Sequence, residues 1–225
     1  MTTQRVALLV DFDDTAAQQN VAETLLKEFG GEGWQGFRES FRNGTMNLRH
    51  YQEKAFNQID APLEQMRNAL AKLAWLRPGF EELNNYCQAN EIQLSIVTNG
   101  LEFYVDAVLQ EAKLRSIPSY SVGVSGTPRN LEYSYPYATE ECWEWGNCKC
   151  KVLFEHRNGG TNIVYIGDGR SDICAARQAD FVFARSTLLE HCNEFGLPYQ
   201  EFEDFHDVLA RFKTGIPGIW EPTAK

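Results

Sequence analysis

The sequence predicts an α/β protein with a doubly wound, mostly parallel sheet and an inserted helical segment. Three observations support this fold class. Four short apolar runs have the length and composition of strands, and patterns with helical spacing lie between them. The first and third of these runs are apolar at every position, which is typical of strands buried on both faces of a parallel sheet. The stretch after the first run contains helical stripes and no convincing strand pattern.

The expected strands and the helices between them follow one another along the chain. Strands are predicted at residues 6–10, 92–97, 163–166 and 181–184. Residues spaced for one helix face predict a helix before the second strand and helices after the second and third strands. In order, these residues are Phe80, Leu83 and Cys87; Tyr104, Val105, Val108 and Leu109; and Ile173, Ala176 and Arg177.

The helical insertion is predicted over residues 16–78. Asn20 and Glu23 have the spacing of a capping box at a helix start, and the glycine pair at 30–31 ends that helix. A second apolar stripe consists of Leu63, Met66, Leu70, Leu73 and Leu76, and it stops at a Pro-Gly pair. We therefore predict an α/β core formed by residues 1–15 and 79–225, with a helical cap at 16–78 between its two parts.

The length, the net charge and the short apolar runs of the chain exclude several classes of protein. A chain of 225 residues with 43% apolar content can bury a sizeable core, and its net charge of -10 argues against nucleic acid or an acidic membrane as a partner. No apolar run is long enough to span a membrane, and five apolar residues before two carboxylates are too few for a secretory signal. We expect a cytoplasmic protein whose oligomeric state the sequence does not indicate.

Two carboxylates, Asp11 and Asp13, come directly after the first strand. In an extended chain they point to the same side while Phe12 points back. The carboxyl ends of parallel strands form the edge at which open α/β sheets bind ligands. Paired carboxylates repel one another unless a cation or a proton relieves them, so a hard divalent ion is their natural partner. The alternative is a solvated acidic turn.

Two further strands bring polar groups to the same edge. The third strand is followed by Asp168, which has a glycine on either side, and then by Asp172. The second strand ends at Thr98, Asn99 and Gly100, whose hydroxyl, amide and flexible backbone suit the oxygens of a phosphate. These additional groups favour a shared binding site over an isolated acidic turn.

A lysine shortly before the third strand is a candidate for neutralising that site. Lys149 and Lys151 both lie where a helix is expected to begin. A lysine at this place can offset the charge of the carboxylates and of a phosphate, whereas a solvated surface lysine is the ordinary alternative.

Taken in order, the DxDxT motif at 11–15, Thr98, Lys149 and the GDxxxD motif at 167–172 resemble the four motifs of the haloacid dehalogenase (HAD) superfamily of phosphatases. The resemblance covers nearly the whole chain, because the helical insertion is similar to the cap of the phosphoserine-phosphatase-like branch. It implies a HAD-like core, Mg²⁺ as the cofactor and a small phosphorylated metabolite as the substrate. It also implies hydrolysis through an aspartyl-phosphate.

The resemblance gives each motif residue a role. Asp11 would be the nucleophile, and Asp13 would be first the acid for the leaving group and then the base for water. Lys149 is preferred over Lys151 because its surroundings resemble the family pattern. The phosphate ligands would be Thr98, Asn99 and Gly100. Mg²⁺ would be held by Asp11, the backbone carbonyl of Asp13 and Asp168, with Asp172 orienting these ligands.

Within that branch, residues 166–192 and 197–202 are similar to the phosphatases that act on an enol-phosphate of methionine salvage. Those enzymes more typically have glycine at the position of Asp14 and Ser-Gly-Gly at 98–100. The same motifs also fit a phosphoserine- or phosphocholine-type phosphatase, or a phosphotransferase that passes the phosphoryl group to another alcohol. Candidate substrate contacts in the cap are Arg38, Arg42 and Arg49.

Two alternative hypotheses lie outside this enzyme class, and the sequence favours neither. A signalling receiver domain also has an acidic pair, a threonine and a lysine, but it lacks the inserted helices and the later GDxxxD strand. A phosphate-metabolite-binding protein on the same fold is disfavoured by the presence of Asp13.

The cysteines raise a separate question. Cys142, Cys148 and Cys150, with His156 nearby, offer ligands for structural zinc, although their spacing is not that of a zinc knuckle. Reduced thiols are the expected alternative for all six cysteines. Trp143 and Trp145 in the same stretch either line the substrate pocket or anchor the loop.

Overall fold

The computed structural model describes residues 5–222 as one seven-stranded sheet with helices on both faces. The strands are β1 Val6–Val10, β2 Gln93–Leu101, β3 Ser119–Thr127, β4 Asn130–Ser134, β5 Asn162–Gly167, β6 Phe181–Ala184 and β7 Tyr199–Glu201. The helices are α1 Val21–Phe29, α2 Trp34–Arg42, α3 Leu48–Phe56, α4 Leu63–Leu73, α5 Phe80–Ala89, α6 Glu102–Glu111, α7 Lys149–His156, α8 Ile173–Ala176, α9 Ser186–Phe195 and α10 Phe205–Thr214. The expected doubly wound fold is confirmed.

The strand order is β4-β3-β2-β1-β5-β6-β7, and all pairs are parallel except β3 with β4. β1 lies at the centre and pairs with β2 on one side and with β5 on the other. Because the chain winds outward in both directions from β1, a crevice forms at the carboxyl ends of these three strands. The side chains of β1 alternate between two apolar clusters, with Val6, Leu8 and Val10 in one and Ala7 and Leu9 in the other.

Three strands were not predicted, because their sequences lack a strong strand signal. β3 and β4 form a hairpin at one edge of the sheet, and much of β3 is polar and half-buried. β7 has only three residues and forms the opposite edge. Because all three strands are only partly buried, they contain no continuous apolar run of the kind found in β1 and β5.

Four helices, α1 to α4, occupy the inserted segment between β1 and α5. The Asn20 side chain accepts a hydrogen bond from the N–H of Glu23 at 2.8 Å, as expected for the start of α1. The Glu23 carboxylate does not complete the capping box but pairs with Arg38 of α2. The division at residues 15/16 and 78/79 stays a prediction.

The second apolar stripe, which was predicted to continue to Leu76, is longer than the helix that contains it. α4 ends at Leu73, and Ala74 is extended, so Leu76 lies outside the helix. Leu76 instead pairs with Ala17 in an antiparallel bridge, which places the entry and the exit of the helical segment side by side. Within residues 5–222, no helix combines the length and the apolar character needed to cross a membrane.

Candidate active site

Asp11 lies at the carboxyl end of the central strand, where its backbone N–H still donates to Ile166 of β5 at 2.9 Å. The chain then leaves the extended conformation in a tight turn over Phe12–Ala16. Asp14 turns the backbone with φ of 60°, in the left-handed region that aspartate tolerates better than most residues. The turn, and not an extended strand, brings Asp11 and Asp13 to the wall of one cavity.

Both oxygens of the Asp13 carboxylate accept hydrogen bonds from the protein. Oδ1 accepts from the N–H groups of Val21 and Ala22 at the start of α1, at 2.6 and 3.3 Å. Oδ2 accepts from the hydroxyl of Tyr104 at 2.8 Å. Removal from water raises the pKa of Asp13 to about 6, although these hydrogen bonds lower it. Asp13 can therefore both give and take a proton near neutral pH.

Lys149 is buried between two carboxylates. Its Nζ lies 2.5 Å from Oδ1 of Asp11 and 2.6 Å from Oδ1 of Asp172. Burial alone would lower the pKa of Lys149, but the two carboxylates outweigh this effect and raise it. Lys151 is farther from the site and donates to the carbonyl of Pro136 at 3.2 Å.

The carboxylate of Asp172 is fully buried and its acceptor positions are filled by the protein. Oδ1 accepts from Lys149 and from the hydroxyl of Tyr165, each at 2.6 Å. Oδ2 accepts from the N–H groups of Asp168 and Gly169, at 3.1 and 2.8 Å. A carboxylate has about four acceptor positions, so Asp172 orients its neighbours and has no lone pair left for a further ligand.

A glycine at 167 is required by this packing. A Cβ at this residue would lie 2.7 Å from Cγ of Asp172, which is closer than side chains approach one another. The glycine before Asp168 thus lets the chain fold the Asp172 carboxylate back under its own loop.

The end of β2 forms a third wall of the cavity, with Thr98, Asn99 and Gly100. The hydroxyl of Thr98 accepts from the N–H of Gly100 at 2.9 Å, which keeps this hydroxyl near the backbone of the turn. The Asn99 side chain is buried, yet its amide nitrogen and oxygen have no hydrogen-bond partner among residues 5–222. Buried amides are nearly always hydrogen-bonded, so Asn99 is suited to a ligand.

The sequence model of the haloacid dehalogenase-like hydrolase family matches residues 8–177, which contain every group described above. The chain belongs to this family.

Curated relatives of this HAD-like hydrolase are named as phosphatases. The 2-hydroxy-3-keto-5-methylthiopentenyl-1-phosphate phosphatase of Brevibacillus brevis is 27% identical over 92% of this chain and 95% of its own. The enzyme of the same name from Geobacillus kaustophilus is 28% identical over 92% of this chain and 95% of its own. These names confirm the prediction of an enzyme, a phosphatase of this family.

A solved structure shows the same fold. The phospho-aspartyl intermediate analogue of phosphoserine phosphatase superimposes with a TM-score of 0.70 and 18% identity, covering 92% of this chain and 98% of that one. The expected fold is therefore confirmed.

Three carboxylates of this HAD-like site gather at the spacing of a metal site, and two of them, Asp11 and Asp168, have oxygens available to bind an ion. Ligand atoms of Asp11, Asp168 and Asp172 lie within 4.8 Å of one another, the one such group found among residues 5–222. Oδ1 of Asp168 accepts from the Thr15 hydroxyl at 3.1 Å, and no described protein group donates to its Oδ2 or to Oδ2 of Asp11. Burial and the charge of Asp172 raise the pKa of Asp168 to about 7, although Lys149 opposes this rise.

Among residues 5–222, the one group found at metal-ligand distances consists of carboxylates and contains no cysteine, while Cys142, Cys148, Cys150 and Cys174 line a separate pocket. Cys150 of α7 is instead joined to Cys174 of α8 by a disulfide, while Cys142 and Cys148 are free. The expectation of reduced thiols is therefore wrong for this pair. The two helices pack side by side, which the sequence separation of the cysteines conceals.

The cavity above the carboxylates has a volume of about 310 Å³ and is closed on one side by the cap. Arg38 and Arg42 line it, whereas Arg49 pairs with Glu53 and stacks on Tyr135, outside the lining. The other cap residues in the lining are Asn20, Ala22, Glu23, Phe41, Leu48, Tyr51, Gln52 and Phe56. A ligand under the cap therefore meets five apolar or aromatic side chains together with charged groups, among them Glu23, Arg38 and Arg42.

The two tryptophans of the loop before α7 have different places. Trp145 lines the cavity, whereas Trp143 is exposed and packs edge-on against His50 of the cap. A second contact between cap and core was not predicted: the Gln52 side chain donates to the backbone carbonyl of Asn99 at 3.1 Å.

Two tyrosines that bind carboxylates of the candidate site were not predicted. Tyr104 and Tyr165 are fully buried and donate to Asp13 and Asp172, respectively. In the sequence, both stand among apolar residues and look like core aromatic residues. The available signal was their proximity in sequence to the motifs: Tyr104 follows Gly100 by four residues, and Tyr165 precedes Asp168 by three.

Proposed function

We propose that this hydrolase is a magnesium-dependent phosphomonoesterase that acts on a small phosphorylated metabolite through an aspartyl-phosphate on Asp11. The observation that carries the proposal is the buried Lys149 between Asp11 and Asp172, with Asp13 held separately across the same cavity. One carboxylate is thus held beside a fixed cation, as a nucleophile requires. The other has a pKa near neutrality, as an acid and base requires.

In the first step, an oxygen of the Asp11 carboxylate attacks phosphorus and the bond from phosphorus to the ester oxygen breaks. Protonated Asp13 gives its proton to that oxygen, so the alcohol leaves neutral. In the second step, Asp13 takes a proton from water while the water oxygen attacks phosphorus and Asp11 is released as a carboxylate. Lys149 offsets negative charge in both steps, and Thr98 and Asn99 bind phosphoryl oxygens.

The residues present fit Mg²⁺. Oxygen ligands would come from Asp11, Asp168 and the backbone carbonyl of Asp13, and these hard donors are the kind that Mg²⁺ prefers. The ion supplies Lewis-acid stabilisation of phosphoryl oxygens when bound. Asp172 would hold the Asp168 loop and Lys149 in place, because its own acceptor positions are filled.

The finer proposal for the substrate is the enol-phosphate of methionine salvage. It is supported by the names of the curated relatives and by the apolar side chains in the cap wall, among them Phe41, Leu48 and Phe56, which suit a methylthio tail. A phosphoserine- or phosphocholine-type substrate carries more charge and would have to draw on Arg38, Arg42 or Glu23 in the lining. The cytoplasmic location stays a prediction.

The test is phosphate release from a panel of esters, namely the enol-phosphate of methionine salvage, phosphoserine and phosphocholine, with Mg²⁺ or with EDTA. We expect phosphate release in Mg²⁺ and none in EDTA, and we expect the enol-phosphate to be hydrolysed fastest. A small alcohol added as an acceptor distinguishes a phosphotransferase, which would form a new ester at the expense of free phosphate. Binding of these esters without any turnover would favour the phosphate-metabolite-binding protein.

Metal binding also predicts a change in stability that needs no substrate. At pH 8, Mg²⁺ at 100 times its Kd should raise the free energy of unfolding by about 2.7 kcal/mol, which is about 5 to 10 °C in Tm for a chain of this size. Asp168→Asn should abolish this gain and should itself stabilise the metal-free protein at pH 8. The measurement is thermal unfolding of both proteins in EDTA and in Mg²⁺.

The pH dependence follows from the raised pKa of Asp168. This carboxyl has an ordinary value of 3.8 and a value of about 7 in the fold, so the folded state holds its proton more tightly. The resulting stability is present at low pH and is lost as pH rises toward 7. The advantage of Asp168→Asn in EDTA should therefore be larger at pH 8 than at pH 5. Equal Mg²⁺ gains in both proteins would contradict the assignment of Asp168 as a ligand.

A further inference from the structure

Tyr104 is fully buried near the start of α6, and its hydroxyl reaches the catalytic cavity. The hydroxyl donates to Oδ2 of Asp13 at 2.8 Å. The ring packs against Phe12, which follows the nucleophile, and against Phe103, with centroid distances of 6.2 and 5.5 Å. The side chain therefore has little freedom to turn its hydroxyl elsewhere.

The hydrogen bond crosses directly over Gly100. A Cβ on this glycine would lie 2.5 Å from the Tyr104 hydroxyl oxygen and 3.0 Å from Oδ2 of Asp13. Any side chain at this residue would push the tyrosine and the carboxylate apart. The absence of a side chain at residue 100 thus allows the phosphate-binding turn, the tyrosine and Asp13 to meet.

The acceptor positions of Asp13 show what this contact does. A carboxylate offers about four positions, two on each oxygen. Oδ1 accepts from the N–H groups of Val21 and Ala22, so both of its positions are used. Oδ2 accepts from Tyr104, which leaves one position on that oxygen. Only this position can hold the proton that the leaving group receives.

We propose that Tyr104 is a positioning residue for proton transfer: its hydroxyl fixes the Asp13 carboxylate so that the remaining position of Oδ2 faces the ester oxygen. This inference rests on the proposed function, because it assumes that Asp13 protonates the leaving group. Tyr104 exchanges no atom with the substrate. Its effect is confined to the step in which the bond to the ester oxygen breaks and the proton of Asp13 moves to that oxygen.

The leaving group makes this role measurable. An alkoxide is a strong base and departs slowly without a proton, whereas 4-nitrophenolate departs without one. A residue that aligns the acid therefore matters for an alkyl phosphate and matters little for 4-nitrophenyl phosphate. The ratio of the two kcat/KM values from one preparation is independent of the fraction of active protein, so partial misfolding does not alter it.

The experiment compares kcat/KM for an alkyl phosphate that the wild type hydrolyses and for 4-nitrophenyl phosphate, with Mg²⁺. Tyr104→Phe should lower kcat/KM for the alkyl phosphate on the order of 10- to 100-fold, because misalignment removes part of the full effect of a general acid. It should lower kcat/KM for 4-nitrophenyl phosphate only a few-fold. Equal losses for both esters, or no loss for either, would overturn the role of Tyr104.

Tyr165→Phe is the matched control. It removes a hydroxyl that is equally buried and that also donates to a carboxylate, Oδ1 of Asp172 at 2.6 Å. Asp172 contacts Lys149 and the Asp168 loop, so this variant should slow both esters by the same factor. Tyr86→Phe removes a hydroxyl bonded to the carbonyl of Phe212, remote from the cavity, and should leave both values unchanged.

Asp13→Asn separates failure of the inference from failure of the proposed function. It should reproduce the selective loss of Tyr104→Phe and exceed it. If Asp13→Asn shows the selective loss and Tyr104→Phe does not, the role of Tyr104 alone is wrong. If Asp13→Asn slows both esters equally, or if the wild type hydrolyses no ester, the proposed acid is wrong and the role of Tyr104 falls with it.

Discussion

Asp11→Asn is expected to abolish magnesium-dependent phosphate release, by at least about four orders of magnitude, since removal of a nucleophile has an effect of this order or larger in other hydrolases. The amide has nearly the same shape as the carboxylate, but it cannot form an acyl phosphate. The measurement is phosphate release under saturating substrate, with Asp60→Asn as the control because Asp60 is an exposed aspartate that pairs with Arg129 on the surface.

A chemical trap makes the same prediction more specific. Wild-type protein quenched in acid during turnover of a phosphate-labelled ester should carry label on the polypeptide, and hydroxylamine should release it, as expected for an acyl phosphate. Asp11→Asn should carry none. Turnover that survives in Asp11→Asn, or label that resists hydroxylamine, would show that another group attacks phosphorus.

Lys149→Met is expected to cause the largest loss of stability among single substitutions in the site. The lysine is 4% exposed and lies between Asp11 and Asp172, so its removal leaves two buried carboxylates without a cation. Breaking a buried ion pair in this way costs about 3 to 5 kcal/mol. At about 2 to 4 °C per kcal/mol for a chain of this size, Tm should fall by about 6 to 20 °C in EDTA. Activity should be lost as well.

The pH dependence distinguishes unpaired charge from lost packing. Burial already raises the pKa of Asp11, and Lys149 opposes that rise. Without the lysine the pKa rises further, so the stability that the protonated carboxyl retains at low pH is lost as pH increases. The loss of Tm should therefore be smaller at pH 5 than at pH 8. Lys151→Met, which removes a lysine outside the site on the same helix, should change Tm little at either pH.

Much of the site was predictable because its residues follow strands that the sequence marks clearly. Asp11, Thr98 and Asp168 each come after or at the end of an apolar run, and parallel strands bring such ends to one edge. The preference for Lys149 over Lys151 depended on the resemblance to the family, since both lysines lie at the same expected helix start and nothing else in the sequence distinguishes them. The structure places Lys149 against the carboxylates, and its catalytic role stays a prediction.

Other features depend on contacts that no local pattern contains. Phenylalanine in place of Tyr104 or Tyr165 would give the same apolar pattern in the sequence. Only the fold shows that each hydroxyl donates to a carboxylate. Leu76 continues the apolar spacing of α4, yet the helix ends earlier because the chain must return to the sheet. The disulfide joins helices that are adjacent only after folding.

The bridge between Ala17 and Leu76 makes the helical segment an exchangeable module. The chain enters and leaves this segment at neighbouring backbone positions, and Arg77 fastens them by donating to the carbonyls of Asp14 and Thr15 at 2.7 and 2.9 Å. A different helical unit with matching ends can thus be joined here without shifting the register of any strand, provided that its first helix keeps the backbone N–H groups that bind the Asp13 carboxylate. The side chains of the cap that line the cavity can then change while the residues at the edge of the sheet stay the same.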